Sequence, residues 1–393
     1  MKICFVHPTD IEKNNDSITN YIRGIIKSSY AKKHDIICIG ISKNNKKSNS
    51  LIKDNFFTWG NPIKKKSFLP VTLMYLFFLY KFIKKNKKLF KERVISINQI
   101  EWALPFLYPI KINPMVITIH GFHGANAFLK RKENITFYGR IKIFAYNHIE
   151  RFVINKVDKV IVVSQERYNY YISKYPNKHN KFIYIPPFID NRQFFYRKEK
   201  QSLKEKYGLL IDDIVLLYIG RIVKEKNIDL IVKGFKKINK KKNGKKIKLL
   251  IIGTGAFEKE IKEIINQEKI ENILLMNEIS HNLIPEIINC ANICILISSF
   301  EGTPISVLEA LSCGVPIIAS KVGDLPRLIF NGSNGYLINN ISESELIKAI
   351  NHVTKINPEP NKCVESVKEY LDYNVIPIIL KEYSKAFLKS KEN

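Results

Sequence analysis

The sequence predicts an α/β protein built from two Rossmann-like, doubly wound parallel-sheet domains. Three observations predict it. Short runs rich in Ile and Val recur along the chain, with amphipathic stretches between them. The runs are continuous rather than alternating, which is how a parallel strand covered on both faces reads. The whole series occurs twice in 393 residues, a length that suits two domains of ~100–200 residues each.

Taken in order, the strand candidates of the first half are 2-KICFVH-7, 35-DIICIGI-41, 94-VISIN-98, 115-MVITIH-120, 159-KVIVVS-164 and 181-KFIYIP-186. Those of the second half are 214-IVLLYIG-220, 247-IKLLIIG-253, 272-NILLM-276, 292-NICILIS-298 and 316-PIIAS-320. Helical patterns such as 227-NIDLIVKGFKKINKK-241 and 256-AFEKEIKEIINQ-267 lie between them, so the repeating unit is βαβ. The run 239-NKKKNGKKIK-248 reads as an exposed turn. The series breaks near 186-PPFIDNRQFFYRKEKQ-201, where two prolines precede a polar stretch. This places a linker at 188–200 and domains at 1–190 and 191–370. A C-terminal helix at 371–393 is free to pack back on the first domain. The segment 362–390 reads as helix interrupted at Pro377. Tandem α/β domains imply a cleft outside the carboxyl ends of their strands, so informative residues should follow strands.

Composition narrows the function. The formal net charge is +28, of which +21 falls in residues 1–190 and +7 in 191–393. A basic first half suits an anionic surface. No nucleic-acid-binding motif accompanies it, so no nucleic-acid partner is expected. Six cysteines without a CxxC or zinc spacing read as small buried hydrophobes in a reducing compartment. The N-terminus reads as strand and turn, not as a signal peptide. The most apolar segment, 68-FLPVTLMYLFFLY-80, falls short of the ~18 residues a membrane span needs. A cytoplasmic protein is expected. In 70–92, Met74, Tyr75, Phe77, Phe78, Tyr80 and Phe82 exceed one buried stripe, and lysines follow at 81–91. Core packing accounts for most of this. The excess also suits an interfacial helix, peripheral on the inner face of the cytoplasmic membrane.

Three clusters carry chemistry. The first, 292-NICILISSFEGTPISVLEALSCG-314, reads as strand, loop and helix. Gly302 lets backbone approach a ligand. Thr303 follows it, and Pro304 suits a helix's first turn. Glu301 precedes that helix and Glu309 lies inside it. They are too far apart to share one bond as acid and base. They suit two separate acceptors for hydroxyls, because an ionised carboxylate only accepts. In the second cluster, 218-YIGRIVKEKN-227, Arg221 and Lys226 follow a strand-end glycine and can reach one phosphate. In the third, 250-LIIGTGAFEKEI-261, Gly253 and Gly255 form a Gly-x-Gly turn. A third glycine would be needed at 258 for a dinucleotide, and that residue is Glu. A ligand with hydroxyls at both ends and phosphate between them, such as a sugar nucleotide, fits the set.

In order, the chain therefore carries GR-x4-K at 220–226, GTG at 253–255, S-x-x-E-G at 298–302, the Glu301/Glu309 pair, GVP at 314–316 and 323-GDLPRLIFNGSNGYLI-338. This set resembles the retaining group 1 glycosyltransferases, glycosyltransferase family 4, with the GT-B fold. Weaker echoes are 34-HDIICIG-40, 117-ITIHG-121, 150-ERFVINKVDKVIVVS-164 and 185-IPPFIDNRQF-194. The resemblance implies that Glu309 accepts from ribose hydroxyls and Glu301 sits by the donor sugar. It implies that the Gly302 and Thr303 amides lie near sugar and phosphates, and that Arg221 and Lys226 neutralise the leaving diphosphate. His120 would face the sugar from the first domain. No metal and no cofactor beyond the nucleotide-sugar donor is implied. The implied acceptor is a glycan or a lipid-linked glycan of a bacterial surface polysaccharide or glycolipid.

Four departures stand out. The linker reads 186-PPFID-190. Lys226 is followed by Asn227, where the family commonly has Gly. Arg327 replaces a frequent Glu. The first loop, 8-PTDIEKNNDSITN-20, has Asn15, Asp16 and Ser17 in place of a glycine pair. Other readings are a catalytically inactive GT-B partner subunit, an epimerase and a phosphorylase. The intact Glu301, Glu309, Arg221 and Lys226 weigh against the first. The epimerase would lack the carboxylate pair. No pyridoxal lysine is located for the last.

Overall fold

A computed structural model of the chain describes residues 1–7, 16–42, 56–60, 71–107, 114–121, 137–238, 246–277 and 279–392. Most of the first loop, the basic run 239–245 and residue 278 lie outside them, as do 68–70 and the side chain of Met74. The chain forms two compact units. One comprises Met1–Pro187 with Tyr373–Asn393, the other Phe188–Asp372.

In the first unit the strands are β1 (Lys2–Val6), β2 (Asp35–Ser42), β3 (Phe56–Gly60), β4 (Arg93–Ile97), β5 (Met115–Ile119), β6 (Lys159–Val162) and β7 (Phe182–Tyr184). They form a parallel sheet in the order β3-β2-β1-β4-β5-β6-β7. Successive side chains of a strand point to opposite faces. Cys4, Val6, Ile95, Ile97, Ile117 and Val160 therefore share one face, and the helices Val71–Lys85 and Phe137–Lys156 cover it. Phe5 and Ser96 point to the other. There Phe5 meets the ring of Tyr383, and Ser96 Oγ lies 2.7 Å from Tyr383 Oη. The helix Asp372–Glu392 supplies that tyrosine.

The second unit has β8 (Ile214–Ile219), β9 (Ile247–Ile252), β10 (Ile273–Met276), β11 (Ile293–Leu296), β12 (Ile317–Ser320) and β13 (Gly335–Ile338), parallel in the order β10-β9-β8-β11-β12-β13. Every expected strand is present. β3 and β13 are additional, and both are sheet edges. β3 lacks an aliphatic run, and β13 is four residues opening on Gly335. In each sheet the strand order reverses once, between β1 and β4 and between β8 and β11. Ligands of open α/β sheets bind at such points.

One expectation needs correction. The last helix is not interrupted at Pro377; it runs unbroken from Asp372 to Glu392. Pro377 sits in its second turn, where the missing N–H forfeits only the bond to Tyr373. The break comes earlier, where Leu371 bridges to Ile189 and Asp372 N donates to Ile189 O. The aromatic helix Val71–Lys85 is chiefly a core element. Tyr75, Leu79 and Ile83 are buried and Phe78, Tyr80 and Phe82 half-buried. Only Phe77 stands out among its described aromatics, with the Lys81 ammonium 4.4 Å from its ring centre. The six cysteines are free and mostly buried. Burial pushes the Cys290 thiol up to about 11 and that of Cys363 to about 12. Both stay protonated, inert packing groups at neutral pH.

Candidate active site

Glycines first make the loops after β8 and β9 possible. Gly220 follows β8 and Gly253 follows β9. A Cβ on Gly253 would lie 1.9 Å from Gly220 O, and one on Gly255 would lie 2.1 Å from Ile222 O. The two loops are stitched backbone to backbone, with Ile222 N donating to Thr254 O and Phe257 N to Ile222 O. The Gly-x-Gly therefore serves close packing of the loop that carries Arg221. Tyr218 Oη donates to Arg221 O at 2.8 Å. Burial and then the nearby Glu301 charge hold that phenol well above its ordinary range, so it stays a donor. Arg221 itself is exposed and has no ion pair among the described residues.

Lys226 ends a short turn, and Asn227 follows it in the left-handed region at φ 48°. This explains the departure from Lys-Gly. After glycine, asparagine is the residue that best tolerates that conformation. Asn227 Nδ2 also donates to Ile297 O at 3.0 Å, tying the loop after β8 to the end of β11. Ser299 N donates to Glu225 O at 2.8 Å in the same seam.

Across that seam Lys226 Nζ pairs directly with Glu301 Oε1, both largely buried. Ser298 Oγ donates to the same oxygen at 2.7 Å. An ammonium has three donors, so Lys226 can hold Glu301 and still offer protons to a phosphate. The loop 301–303 is braced from β12's far end. Gly323 sits at φ 58°, where a Cβ would lie 2.5 Å from Glu301 O. Asp324 N donates to Gly302 O, and Thr303 Oγ1 donates to Asp324 Oδ2. Arg327 is exposed beyond this brace.

The helix after the loop is Ile305–Ser312, with Pro304 as its N-cap rather than its first residue. It closes on Gly314 at φ 73°. Val315 N donates to Ala310 O and Gly314 N to Leu311 O, a Schellman close. Glu309 is nearly buried on this helix, its Oε1 3.5 Å from His281 Nε2. The His281 ring in turn meets Phe194 edge-on. Sequence reasoning quoted Ser298 and Asp324 within motifs without assigning them roles and missed His281, because those roles depend on contacts between distant loops.

The second unit thus gathers Arg221, Lys226, Glu301, Gly302, Thr303, Pro304 and Glu309 around the carboxyl ends of β8 and β11, with Gly255 in the adjoining loop. His120 belongs to the first unit, following β5. Its Nε2 lies 2.8 Å from Asn98 Oδ1, and its ring packs on Tyr21. At that unit's own reversal point His7 follows β1, buried against Trp102, with Nε2 3.8 Å from Asp16 Oδ1. Asp16 caps the helix Ser17–Lys27, accepting from Ile18 N and Thr19 N. Burial pushes its carboxyl up, but the His7 contact and the Thr19 bonds outweigh it and hold the group well below the carboxylate range. The capped helix end is thereby already occupied by a carboxylate. Among the described residues, no group of His, Cys, Asp and Glu side chains could hold a metal ion. Nor is any helix long and apolar enough to cross a membrane.

Two family models match this chain, Glycosyl transferases group 1 over residues 199–370 and Glycosyltransferase Family 4 over residues 20–193. The chain belongs to the family 4 glycosyltransferases. N-acetyl-alpha-D-glucosaminyl L-malate synthase of Bacillus anthracis is 33% identical over 193 residues, 49% of each chain. The UDP-Gal:alpha-D-GlcNAc-diphosphoundecaprenol alpha-1,3-galactosyltransferase of Escherichia coli is 29% identical over 61% of this chain and 60% of its own. The matches span about half to three fifths of these curated relatives. Among solved structures, sucrose-phosphate synthase from Thermosynechococcus elongatus superposes with a TM-score of 0.80 at 16% identity, over 99% of both chains. At that identity the likeness is one of fold, the GT-B fold.

Proposed function

We propose that the protein transfers a sugar from a nucleoside-diphosphate sugar to a glycan or lipid-linked acceptor, with retention of anomeric configuration and without a metal or further cofactor. The observation that carries this is the pairing of Lys226 with Glu301 where the strand order reverses, with Arg221 exposed on the same loop and Glu309 held on the following helix. In this reading Glu309 accepts from the ribose hydroxyls and Glu301 lies by the donor sugar. Arg221 and Lys226 take the charge that grows on the diphosphate as the glycosidic bond breaks, the role a metal ion fills elsewhere. The Gly302 and Thr303 amides lie near sugar and phosphates. His120 contributes from the first unit, oriented by Asn98.

The E. coli relative's name states a UDP-galactose donor and a diphosphoundecaprenol-linked acceptor. Carried over, that favours a role in surface polysaccharide or glycolipid synthesis at the inner face of the cytoplasmic membrane. The test is transfer from UDP-, GDP- and ADP-sugars to a lipid-linked diphosphate glycan in the presence of EDTA, with the product's anomeric proton read by NMR. Retained configuration with EDTA present is expected. An inverted product, or activity abolished by EDTA and restored by a divalent cation, would overturn the reading.

A further inference from the structure

Glu309 is only 8% exposed. A carboxylate taken out of water needs hydrogen-bond donors. Among the described residues its one ionic or hydrogen-bonding partner is His281, whose Nε2 lies 3.5 Å from Oε1. The Cys294 and Cys313 thiols also lie near this carboxylate, and burial pushes both up, so they stay protonated. The histidine contact is longer than a closed hydrogen bond. Contacts of this kind are often long in an empty site and tighten when a ligand arrives.

The seat of the His281 ring is built, and its parts return to the helix that carries Glu309. The ring meets Phe194 edge-on, with centroids 5.5 Å apart. Phe194 is buried, and its carbonyl accepts from Ser312 Oγ at 2.8 Å. Ser312 follows Glu309 by three positions on the helix Ile305–Ser312, so the two share a face. The same stretch of chain is gripped from the other side. Asn289 belongs to the helix Ile284–Cys290, which directly follows the turn His281–Leu283. Its side chain is fully buried, accepts from Arg197 N at 2.8 Å and donates to Phe195 O at 3.1 Å. The circuit Glu309–His281–Phe194–Ser312 thus closes on one helix, and the ring is held toward the carboxylate.

We propose that His281 is a positioning residue for the donor: its Nε2–H holds Glu309 Oε1 and fixes the plane in which the carboxylate receives the ribose hydroxyls. Each carboxylate oxygen has room for two donors, so Oε1 keeps the histidine while both oxygens accept from the 2′ and 3′ hydroxyls. His281 touches neither the sugar being transferred nor the diphosphate in this scheme. It sets donor affinity and the preference for ribose. The inference rests on the reading of Glu309 as the ribose acceptor and deepens it by naming what orients that carboxylate.

The experiment is calorimetric titration of the full chain with UDP, GDP and ADP, each beside its 2′,3′-dideoxy analogue. Three variants accompany it: His281→Phe, which keeps a flat ring against Phe194 and removes the donor; His281→Gln, whose amide can donate in place of Nε2; and Glu309→Ala. Wild type should bind one ribonucleotide at least about tenfold tighter than its dideoxy form. In His281→Phe that ratio should fall to within about threefold, through weaker binding of the ribo form alone. His281→Gln should restore most of the ratio. Glu309→Ala should abolish it, and adding His281→Phe to Glu309→Ala should change nothing further. With saturating donor, kcat of His281→Phe should match wild type while the donor KM rises. An undiminished ratio in His281→Phe would overturn the proposal and leave the role of Glu309 standing. Equal loss for both nucleotide forms would make His281 a packing residue and overturn it too. So would tighter ribonucleotide binding in His281→Phe, which would make the histidine a competitor of ribose. A wild type without preference for the ribo form would sink the reading of Glu309 and this proposal with it.

Discussion

At the reversal point of the second sheet the loops carry glycines, cations and carboxylates. At that of the first, the described residues are His7, Asp16, Asn98, Trp102 and Tyr21, and the helix end beside them is capped by Asp16. The two units share one architecture and differ in chemistry. A diphosphate and a ribose are the same in every donor and demand the same groups, namely paired cations, bare backbone and hydroxyl acceptors. An acceptor varies from enzyme to enzyme, so the unit expected to receive it has no fixed vocabulary. If that division is right, substitutions at the second point should abolish donor use, and those at the first, apart from the His120–Asn98 pair placed by the sugar, should tune stability and acceptor choice.

The largest expected effect is at the Lys226–Glu301 pair. Lys226→Ala removes the cation proposed to meet the leaving group and should lower kcat by about 10²–10³-fold, the usual loss for one preorganised donor. Glu301→Gln keeps the Ser298 bond and the fold, and should lower transfer without lowering the melting temperature. Equal loss of activity on replacing His7 would break the comparison.

Next comes Gly255→Ala. Its Cβ must displace Ile222 O, and overpacking of this kind costs about 1–3 kcal/mol. Denaturant unfolding should register that loss, and the Arg221 loop should move with it, raising the donor KM. Asp16→Ala should cost about 1 kcal/mol, as lost N-caps do. The pH dependence has a definite sign. The folded Asp16 carboxyl titrates below its unfolded value, so its contribution is present above the ordinary carboxylate value of ~3.9 and is lost as pH falls through the lower folded value. Wild type and Asp16→Ala should therefore converge in stability only in strong acid, while donor binding is unchanged.

The smallest effect sharpens the account of the loop after β8. Asn227→Gly exchanges the Ile297 bond for an unstrained left-handed residue, so its stability should stay within about 1 kcal/mol of wild type. Asn227→Val has neither advantage and should be clearly less stable. Thermal unfolding of the two distinguishes a backbone requirement from a side-chain one.

Much of this was legible in sequence, for physical reasons. Strands buried on both faces announce themselves as Ile and Val runs, so eleven of the thirteen strands among the described residues were readable. β3 and β13, at sheet edges, carry no such run. The charged residues proposed to meet the donor stood out in the sequence because phosphate chemistry restricts residue type. The contacts of His281 with Glu309, and of Ser298 and Asp324 with the 301–303 loop, did not, because polar residues of loops carry no periodicity. Pro377 misled because a proline's cost depends on its distance from the helix start.

The central claim is that the second unit alone supplies the nucleoside diphosphate's recognition. The most direct measurement is calorimetric titration of the full chain with UDP, GDP and ADP in metal-free buffer, beside Glu309→Ala and Lys226→Ala. One diphosphate should bind wild type and lose its affinity in both variants, with the matching monophosphate weaker in wild type because Arg221 and Lys226 have less to hold. Binding of no diphosphate, or binding that both variants retain, would contradict the account.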